Sequence, residues 1–278
     1  MNFWAWPLTT PVLMTLPWKD RFQVKPGRWV YIPTPETLEQ GRQIKAFVTE
    51  KFQAPPFYYH LHEGGHVAAI QSHSDDQYFL NVDIENFFGA INRSRVTRSL
   101  KKRFPYPQAR EITVQSTVRV TNEGRYEYHL PYGYPQSTIL ASICLFDSAL
   151  GKYLLSLSAQ HNVSIYVDDI IISGNDHAEL NRISNTLVEK SVASRLPFGR
   201  KKVTQVADRI TAFNINLSHQ STEITDQRYN QLLQQALLTD NENVIEGILS
   251  YVLSVNPRQH NNMRQELFTL SNTTKTPA

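Results

Sequence analysis

Two adjacent aspartates stand at the tip of a hairpin-like pattern. Apolar and β-branched residues flank Asp168 and Asp169 on both sides over residues 164–174, which predicts two short strands joined by a tight turn. Such a turn ordinarily carries Asn-Gly or Gly-Gly rather than two carboxylates. Because neighbouring like charges repel, a fold tolerates them cheaply only in water or against a cation. The pair therefore fits either a solvated turn or part of a cation site.

A third aspartate favours the cation site. Asp83 ends the strand-like run at residues 78–83, and a pair of phenylalanines follows. If the two segments pair in one sheet, Asp83 lies beside Asp168 and Asp169. Three carboxylates form a hard, oxygen-rich site that suits Mg²⁺ better than zinc. Two such ions about 3.5–4 Å apart would activate a hydroxyl and stabilise a leaving pyrophosphate, which is the chemistry of nucleotidyl transfer.

Composition predicts a soluble globular protein. The chain has 278 residues, of which 41% are hydrophobic and 19% charged, enough for one large domain or two modest ones. No apolar run is long enough to span a bilayer, and prolines interrupt the apolar N-terminus, so no signal peptide is predicted. The single cysteine, Cys144, excludes an intramolecular disulfide framework and fits a reducing, cytoplasmic compartment.

Basic residues are concentrated in two clusters although the net charge is only +3. Such clusters suit a phosphate backbone, but a solvated helix face explains the first cluster equally well. The first cluster consists of Arg93, Arg95, Arg98, Lys101, Lys102 and Arg103, and the second of Arg200, Lys201 and Lys202.

Periodicity and turn residues predict an alternation of helices and strands. A soft boundary near 219–225 separates the strand-containing part from a Gln- and Leu-rich helical part. The predicted elements are short strands and turns over 19–58, helices at 64–73 and 93–103, a hairpin of 114–120 with 126–130, a long apolar helix at 137–160, the Asp168 hairpin, a helix at 177–194 with Asn175 or Asp176 as its cap, strands near 201–207 and 211–217, and helices from 226 onward.

The segment between the two aspartate motifs completes a recognisable order. Residues 130–141 place Gly133 between two tyrosines and offer Ser137 or Thr138 as a helix cap. With an aspartate after a strand before it and Tyr-x-Asp-Asp after it, the chain resembles the reverse transcriptases, and within them the bacterial retron and defence-associated groups. Residues 64–67 with His73, and residues 247–252 with Asn256-Pro257, extend the resemblance over about 28–260.

The resemblance implies an α+β right-hand polymerase fold of fingers, palm and thumb, with an antiparallel palm sheet packed on helices and a small helical thumb. We expect an N-terminal segment and fingers at 1–75, a palm at 76–220 with finger elements at about 95–130, and a helical thumb at 221–278. The implied activity is RNA-directed DNA polymerisation, adding dNTPs to a 3′-hydroxyl with two Mg²⁺ ions or with Mn²⁺ in their place. The implied setting is a bacterial antiphage defence or retron-like system.

The resemblance also implies partners and site residues. The partners are an RNA template, a DNA or RNA primer, dNTPs, a non-coding RNA and an accessory defence protein, with no membrane and with oligomers allowed. Asp83, Asp168 and Asp169 would be catalytic and would bind metal together with the backbone carbonyl of Ile84. Nucleotide contacts would come from Arg42, Phe88, Tyr132, Gly133, Gln136, Lys201 and Lys202, and nucleic-acid contacts from Tyr166, Arg93, Arg95, Lys101 and Lys102.

Several of these assignments have rivals. Phe88 matches the aromatic that excludes a 2′-hydroxyl, Phe87 is expected in the core, and Lys45 and Arg28 compete with Arg42 for the triphosphate. Tyr132 stands where the retroviral loop has Gln, and Thr138 replaces a proline, so the substrate preference of better-known relatives does not transfer directly.

One motif points to different chemistry. Residues 62–66, His-Glu-Gly-Gly-His, match the pattern of zinc peptidases. Zinc binding needs both histidines on one helical turn, yet each glycine in a helix interior costs about 1 kcal/mol relative to alanine. We therefore expect Gly64 and Gly65 to form a turn and the histidines to pack or to contact template.

Two functions other than templated polymerisation stay open on the sequence. The altered loop at Tyr132 and Thr138 would suit template-independent or protein-primed DNA synthesis. A nucleic-acid-binding subunit of a larger complex is the alternative of another class, although such a module has no need of three clustered carboxylates.

Overall fold

The computed structural model describes residues 16–25, 28–122, 125–199 and 205–273. The helices in these residues are α1 Pro35–Lys51, α2 Gly65–Gln71, α3 Arg93–Leu100, α4 Tyr106–Gln115, α5 Ser137–Phe146, α6 Ala149–Leu157, α7 His177–Ala193, α8 Asp226–Leu237, α9 Glu242–Val255 and α10 Pro257–Thr273. The strands are β1 Trp18–Lys25, β2 Arg28–Pro33, β3 Tyr78–Asp83, β4 Val118–Asn122, β5 Arg125–His129, β6 Asn162–Tyr166, β7 Asp169–Gly174, β8 Arg209–Ala212, β9 Ile215–Ser218 and β10 Ser221–Ile224.

The chain divides into two compact units. The first unit contains the chain up to Gln53 together with Phe88–Cys144, and the second contains Ala54–Phe87 and the chain from Leu145 onward. The predicted limits of fingers, palm and thumb stay a prediction.

The second unit is built on an antiparallel sheet of β3, β7 and β6, with β7 in the centre. Ile170, Ile171 and Ile172 of β7 are all at most 1% exposed, which is the continuous apolar run expected of a strand covered on both faces. The helices α6 and α7 pack against this sheet. Asp176 caps α7 by accepting hydrogen bonds from the backbone N–H groups of Ala178 and Glu179, as the sequence predicted.

A second apolar core in this unit joins the small sheet β10–β9–β8 to the C-terminal helices. Ile215 and Leu217 of β9 pack with Leu232 of α8, Val252 of α9 and Met263 of α10, and all are buried. The helical character expected from residue 226 onward is therefore confirmed.

The first unit carries two antiparallel hairpins, β1–β2 and β4–β5, and the helices α1, α3 and α4. Thr34 caps α1 by accepting a hydrogen bond from the Thr37 N–H group at 3.2 Å. Ile44 and Val48 on one face of α1 are buried, so burial of that face fixes the helix.

Several predicted elements were wrong. Residues 35–51 form a helix where short strands were expected, because the Thr34 cap and Pro35 at its first turn start a helix. The expected helix at 137–160 is broken into α5 and α6, bent by 77°, since Ser148 caps a new helix by accepting from the Gly151 N–H group at 3.0 Å. The helix α4 was not foreseen.

Two further differences concern strands. The strand expected near 201–207 falls partly on residues 201–204, which lie outside the described residues, and the next strand begins at Arg209. The hairpin expected at 114–120 with 126–130 forms as β4 and β5, and residues 123–124 between them also lie outside the described residues. Among the described residues, no single helix is long and apolar enough to cross a bilayer, and only the bent pair α5 and α6 satisfies length and composition together.

Candidate active site

The strand register brings two of the predicted carboxylates together. Asp83, the last residue of β3, is directly opposite Asp169, the first residue of β7. Directly opposed residues on antiparallel strands point to the same face with Cβ atoms about 4.5–5.5 Å apart. Both side chains are half-buried. Since like charges in this relation repel, the pair is stable next to a cation.

The third carboxylate belongs to the turn between β6 and β7. Tyr166 pairs with Asp169, so Val167 and Asp168 form a two-residue loop. The Ile84 N–H group donates to the Asp168 carbonyl at 2.9 Å, which ties this loop to the residue after Asp83. The half-buried Asp168 therefore lies at the same end of the sheet as the other two aspartates.

A segment that the sequence analysis missed runs beside Asp83. The Gly199 N–H group donates to the Asp83 carbonyl at 2.9 Å, and Glu85 N–H donates to the Pro197 carbonyl at 2.8 Å. A Cβ atom on Gly199 would lie 3.3 Å from both Asp83 carboxylate oxygens, so glycine leaves space around that carboxylate. A glycine just before the 200–202 basic cluster was the available signal.

The donor set fits a hard divalent cation. Among the described residues, no group of three or more Asp, Glu, His or Cys side chains has the geometry to hold a metal ion as it stands. The opposed Asp83 and Asp169 carboxylates nevertheless supply oxygen ligands of the kind Mg²⁺ prefers, with Asp168 in the adjoining turn. Their individual metal-binding roles, and that of the Ile84 carbonyl, stay a prediction.

Aromatic rings surround Tyr166 on the other side of the turn. Its ring makes edge contacts with Phe213 at 5.2 Å, His66 at 5.9 Å and His60 at 6.0 Å between centroids. Tyr166, His66 and Phe213, together with Arg228 and others, line an open cavity of about 600 Å³ in the second unit. Flat rings and a guanidinium are groups that can stack on bases and contact phosphate.

The zinc-peptidase motif does not form a zinc site. Gly64 and Gly65 have φ of +88° and +57°, and α2 begins only at Gly65. His62 and His66 therefore do not share a helical turn. The predicted Gly-Gly turn is confirmed, and the His66 ring packs on Tyr166, Phe213 and Tyr251.

In the first unit, Phe88 and Tyr132 form a ring pair. Their centroids are 4.7 Å apart with an interplanar angle of 88°, the edge-to-face geometry that aromatic pairs prefer. Phe88 is 8% exposed, and the guanidinium of Arg28 lies 5.1 Å from the Tyr132 ring centroid. Phe87, assigned to the second unit, is buried as expected.

Gly133 allows the backbone after Tyr132 to approach β2. Its φ is +99°, which L side chains rarely adopt. A Cβ atom would lie 2.2 Å from the Tyr31 carbonyl oxygen, and the Tyr31 N–H group donates to the Tyr132 carbonyl at 3.0 Å. No residue other than glycine fits this loop without displacing the backbone.

The other predicted nucleotide contacts in the first unit differ in exposure. Arg42 is exposed on α1 and lies 3.6 Å from Glu39. Gln136 is 1% exposed, and its amide donates to the Ser116 hydroxyl at 3.4 Å rather than facing solvent. Both assignments stay predictions. Lys201 and Lys202 lie outside the described residues.

Some side chains of the first basic cluster make contacts within the first unit. The Arg93 guanidinium lies 3.5 Å from the Tyr128 ring centroid, and its Nε donates to the Thr117 hydroxyl at 2.8 Å. Desolvation lowers the pKa of Arg93. Lys101 and Lys102 are exposed, whereas Arg95 is half-buried. Nucleic-acid binding by these four residues stays a prediction, with Lys101 and Lys102 the more accessible.

Comparison with known proteins decides the family. The family model described as "Reverse transcriptase (RNA-dependent DNA polymerase)" matches residues 37–244, about three quarters of the chain. The chain belongs to this reverse transcriptase family. No curated protein matches its sequence significantly. Reverse transcriptases are nucleotidyltransferases that use divalent metal ions, typically Mg²⁺.

One solved structure supports the fold. The chain superposes on telomerase from Candida albicans, in complex with a fragment of telomeric RNA, with a TM-score of 0.51 at 11% identity, covering 84% of this chain and 47% of that one. It is also similar to the foamy viral protease-reverse transcriptase in complex with double-stranded DNA, with a TM-score of 0.48 at 15% identity, covering 91% and 38%. This chain therefore spans less than half the length of either protein.

These findings confirm the predicted α+β polymerase fold, with antiparallel sheets packed on helices. The predicted membership of the reverse transcriptase family is confirmed by the family match. The bacterial subgroup, the defence setting and the individual site residues stay predictions.

Proposed function

We propose that this protein is an RNA-directed DNA polymerase that adds dNTPs to a 3′-hydroxyl by two-metal nucleotidyl transfer. The observation that carries the proposal is the register that sets Asp83 opposite Asp169, with Asp168 in the adjoining turn. Clustered carboxylates at one sheet end suit a charge-neutralising cation site, and the family match supplies the class of reaction.

Each aspartate has a distinct part in this proposal. Asp83 and Asp168 would hold both ions, with the Ile84 backbone carbonyl as a further ligand, and Asp169 would support the site from its cross-strand position. Bound Mg²⁺, or Mn²⁺ in its place, supplies Lewis acidity at the attacking and leaving oxygens. Gly199 keeps one side of the Asp83 carboxylate open.

The first unit selects the nucleotide in this proposal. Phe88 presents a flat ring that leaves no room for a 2′-hydroxyl, and Tyr132 supports that ring by its edge contact at 4.7 Å. Arg42 contacts the triphosphate, because a guanidinium can hold phosphate oxygens bidentately. Gly133 and Gln136 are the other proposed nucleotide contacts of this unit. Lys201 and Lys202, which come later in the chain, are also proposed to contact the nucleotide.

We place the enzyme in the cytoplasm within a bacterial antiphage defence or retron-like system. Support for the retron-like setting comes from the resemblance of residues 64–67 and 247–252 to retron-type segments, and support for an RNA partner comes from a telomerase neighbour that is in complex with RNA. The proposed partners are an RNA template, a DNA or RNA primer, a non-coding RNA and an accessory defence protein. Tyr166, Arg93, Arg95, Lys101 and Lys102 are the proposed nucleic-acid contacts.

The test is dNTP incorporation on a primed RNA template, with and without Mg²⁺. We expect Mg²⁺-dependent extension that is lost in Asp168→Ala and Asp169→Ala, because removing either carboxylate removes a cation contact. The matched control is Asp240→Asn, which changes an exposed aspartate between α8 and α9 and should extend primers normally.

The same assay separates the alternatives. A product whose sequence is complementary to the supplied or co-purified RNA supports templated synthesis, whereas product without template supports untemplated or protein-primed addition. Full biological effect from a protein lacking all three carboxylates would instead favour a nucleic-acid-binding subunit, and would overturn the polymerase proposal.

A further inference from the structure

The turn that carries Asp168 has a strained backbone. Val167 has φ of +60°, a left-handed conformation that is a genuine outlier for a β-branched residue. Holding such a residue in this conformation is unfavourable and requires surrounding contacts that over-determine it. Some group must therefore restrain Val167 if the two aspartates are to keep a fixed geometry.

His60 is that group. The Val167 backbone N–H donates to His60 Nδ1 at 2.9 Å. The same nitrogen is 3.2 Å from the Ile165 carbonyl oxygen. Accepting from the Val167 N–H requires Nδ1 without a proton, whereas donating to the Ile165 carbonyl requires Nδ1–H, so the two contacts need different tautomers. The backbone N–H is fixed in direction and its contact is the shorter one, which leaves no space for a proton on Nδ1. The ring therefore carries its proton on Nε2 and accepts through Nδ1.

The chain around His60 is fixed alongside β6. The Ile165 N–H group donates to the Phe57 carbonyl at 2.7 Å, and Tyr58 forms a parallel bridge with Ile165. The His60 ring also makes its edge contact with Tyr166 at 6.0 Å. Burial lowers the pKa of His60 to about 4, so the ring is a neutral acceptor near pH 7.

We infer that His60 is a positioning residue of the polymerase site. Its Nδ1 lone pair holds the Val167 amide and, through it, the loop between Tyr166 and Asp169 that carries the proposed metal ligands. This inference rests on the proposed function for its consequence in catalysis. The contact itself stands on the geometry of His60 and Val167 alone.

A matched series of variants separates the acceptor from the ring. His60→Asn keeps an acceptor oxygen near the Nδ1 position, whereas His60→Phe keeps a ring of similar size without an acceptor. The control is His177→Phe, because His177 is exposed at the start of α7 and its ring contacts Tyr78, at the end of β3 opposite to Asp83. Primer extension with a Mg²⁺ titration and the melting temperature are measured for each.

We expect His60→Phe to lower kcat about tenfold, the worth of one hydrogen bond, and to raise the Mg²⁺ concentration for half-maximal rate. The KM for primer–template should not change, His60→Asn should recover most of kcat, and His177→Phe should match the unmodified enzyme. In a Val167→Gly background the loss from His60→Phe should shrink to less than threefold, since glycine adopts positive φ without strain. Equal losses in His60→Phe and His60→Asn would overturn the inference.

A spectroscopic measurement tests the contact without any activity. The ¹⁵N spectrum of the histidine rings should show His60 as the Nε2–H tautomer, and the Val167 amide should exchange faster in His60→Phe than in His60→Asn. An Nδ1–H tautomer would refute the inference even in an active enzyme. If the unmodified protein extends no primer, the proposed function fails, while these spectra still decide whether His60 holds Val167.

Discussion

The proposed carboxylate edge and the proposed nucleotide contacts are built in opposite ways. The carboxylate edge consists of Asp83, Asp168 and Asp169 in the second unit, and regular strand pairing sets Asp83 opposite Asp169. The ring pair of Phe88 and Tyr132 in the first unit depends instead on irregular backbone.

The two regions differ in which substitutions they tolerate. A strand register fixes side-chain position through many cooperative hydrogen bonds and a fixed alternation of faces. A loop such as the one after Tyr132 depends on one residue, because the Gly133 backbone passes within van der Waals distance of the Tyr31 carbonyl. We therefore expect side-chain substitutions at the edge to lower activity and replacement of the loop glycine to lower the free energy of unfolding.

The largest expected effect contrasts one residue from each region. Asp83→Asn should lower the rate of primer extension on the order of a thousandfold, since the ion contact it removes is worth several kcal/mol. Phe88→Ala should retain extension within about tenfold, because in the proposal its ring selects the sugar rather than assisting the transfer. Single-turnover extension measures both rates. A milder loss in Asp83→Asn than in Phe88→Ala would reverse the comparison.

A glycine pair tests the loop through stability. Gly133→Ala should lower the free energy of unfolding by at least about 3 kcal/mol, because the added Cβ overlaps a backbone carbonyl at positive φ. The control is Gly247→Ala in α9, where a Cβ meets no atom within 4 Å and alanine should add up to about 1 kcal/mol. Urea unfolding of both variants gives the two values. Equal stabilities would show that the loop relaxes around alanine.

Low pH should lower the stability of the sheet that carries the carboxylate edge. His73 is fully buried, with its ring nitrogens 2.6 Å from the Ser173 hydroxyl and 2.7 Å from the Ser164 hydroxyl, so it joins β7 to β6. Burial lowers its pKa to about 4, although the nearby Asp76 carboxylate acts in the opposite direction.

The sign of the pH effect follows from that lowered pKa. Below about pH 6.5 the unfolded chain protonates this histidine while the folded chain does not. The stabilisation is complete above that pH and falls by about 3 kcal/mol as the pH drops toward 4, because each pKa unit corresponds to about 1.4 kcal/mol. His60 adds to the same slope, so urea unfolding between pH 7.5 and 4.5 should show a shallower slope in His73→Asn. An unchanged slope would mean that His73 titrates alike in both states.

The smallest expected effect concerns the ring pair alone. Tyr132→Ala should lower the preference for dNTPs over rNTPs up to about tenfold, because an edge-to-face contact is worth about 0.5–1.5 kcal/mol. Tyr132→Phe keeps that ring contact and should stay within about twofold. Competitive incorporation of a dNTP and its rNTP on one primer measures the ratio. An equal ratio in the two variants would show that Tyr132 does not support Phe88.

Prediction from sequence succeeded where a pattern is local. The Asp168 hairpin, the Asp176 cap of α7 and the Gly64-Gly65 turn all follow from residues adjacent in the chain. It failed at α1 and at the break between α5 and α6. There a single cap, Thr34 or Ser148, outweighs the composition of the surrounding segment.

The sequence by itself determined which reactive groups are available. They are three aspartates in the order of the reverse transcriptase family, with a glycine-containing loop between the first and the other two. Only the tertiary structure decided that Asp83 faces Asp169, that Gly199 clears space beside Asp83, and that His60 accepts from the Val167 amide. The physical reason is sequence distance. Strand register, close backbone approach and a side-chain-to-backbone hydrogen bond join residues about a hundred positions apart, and no local pattern encodes which of them will meet.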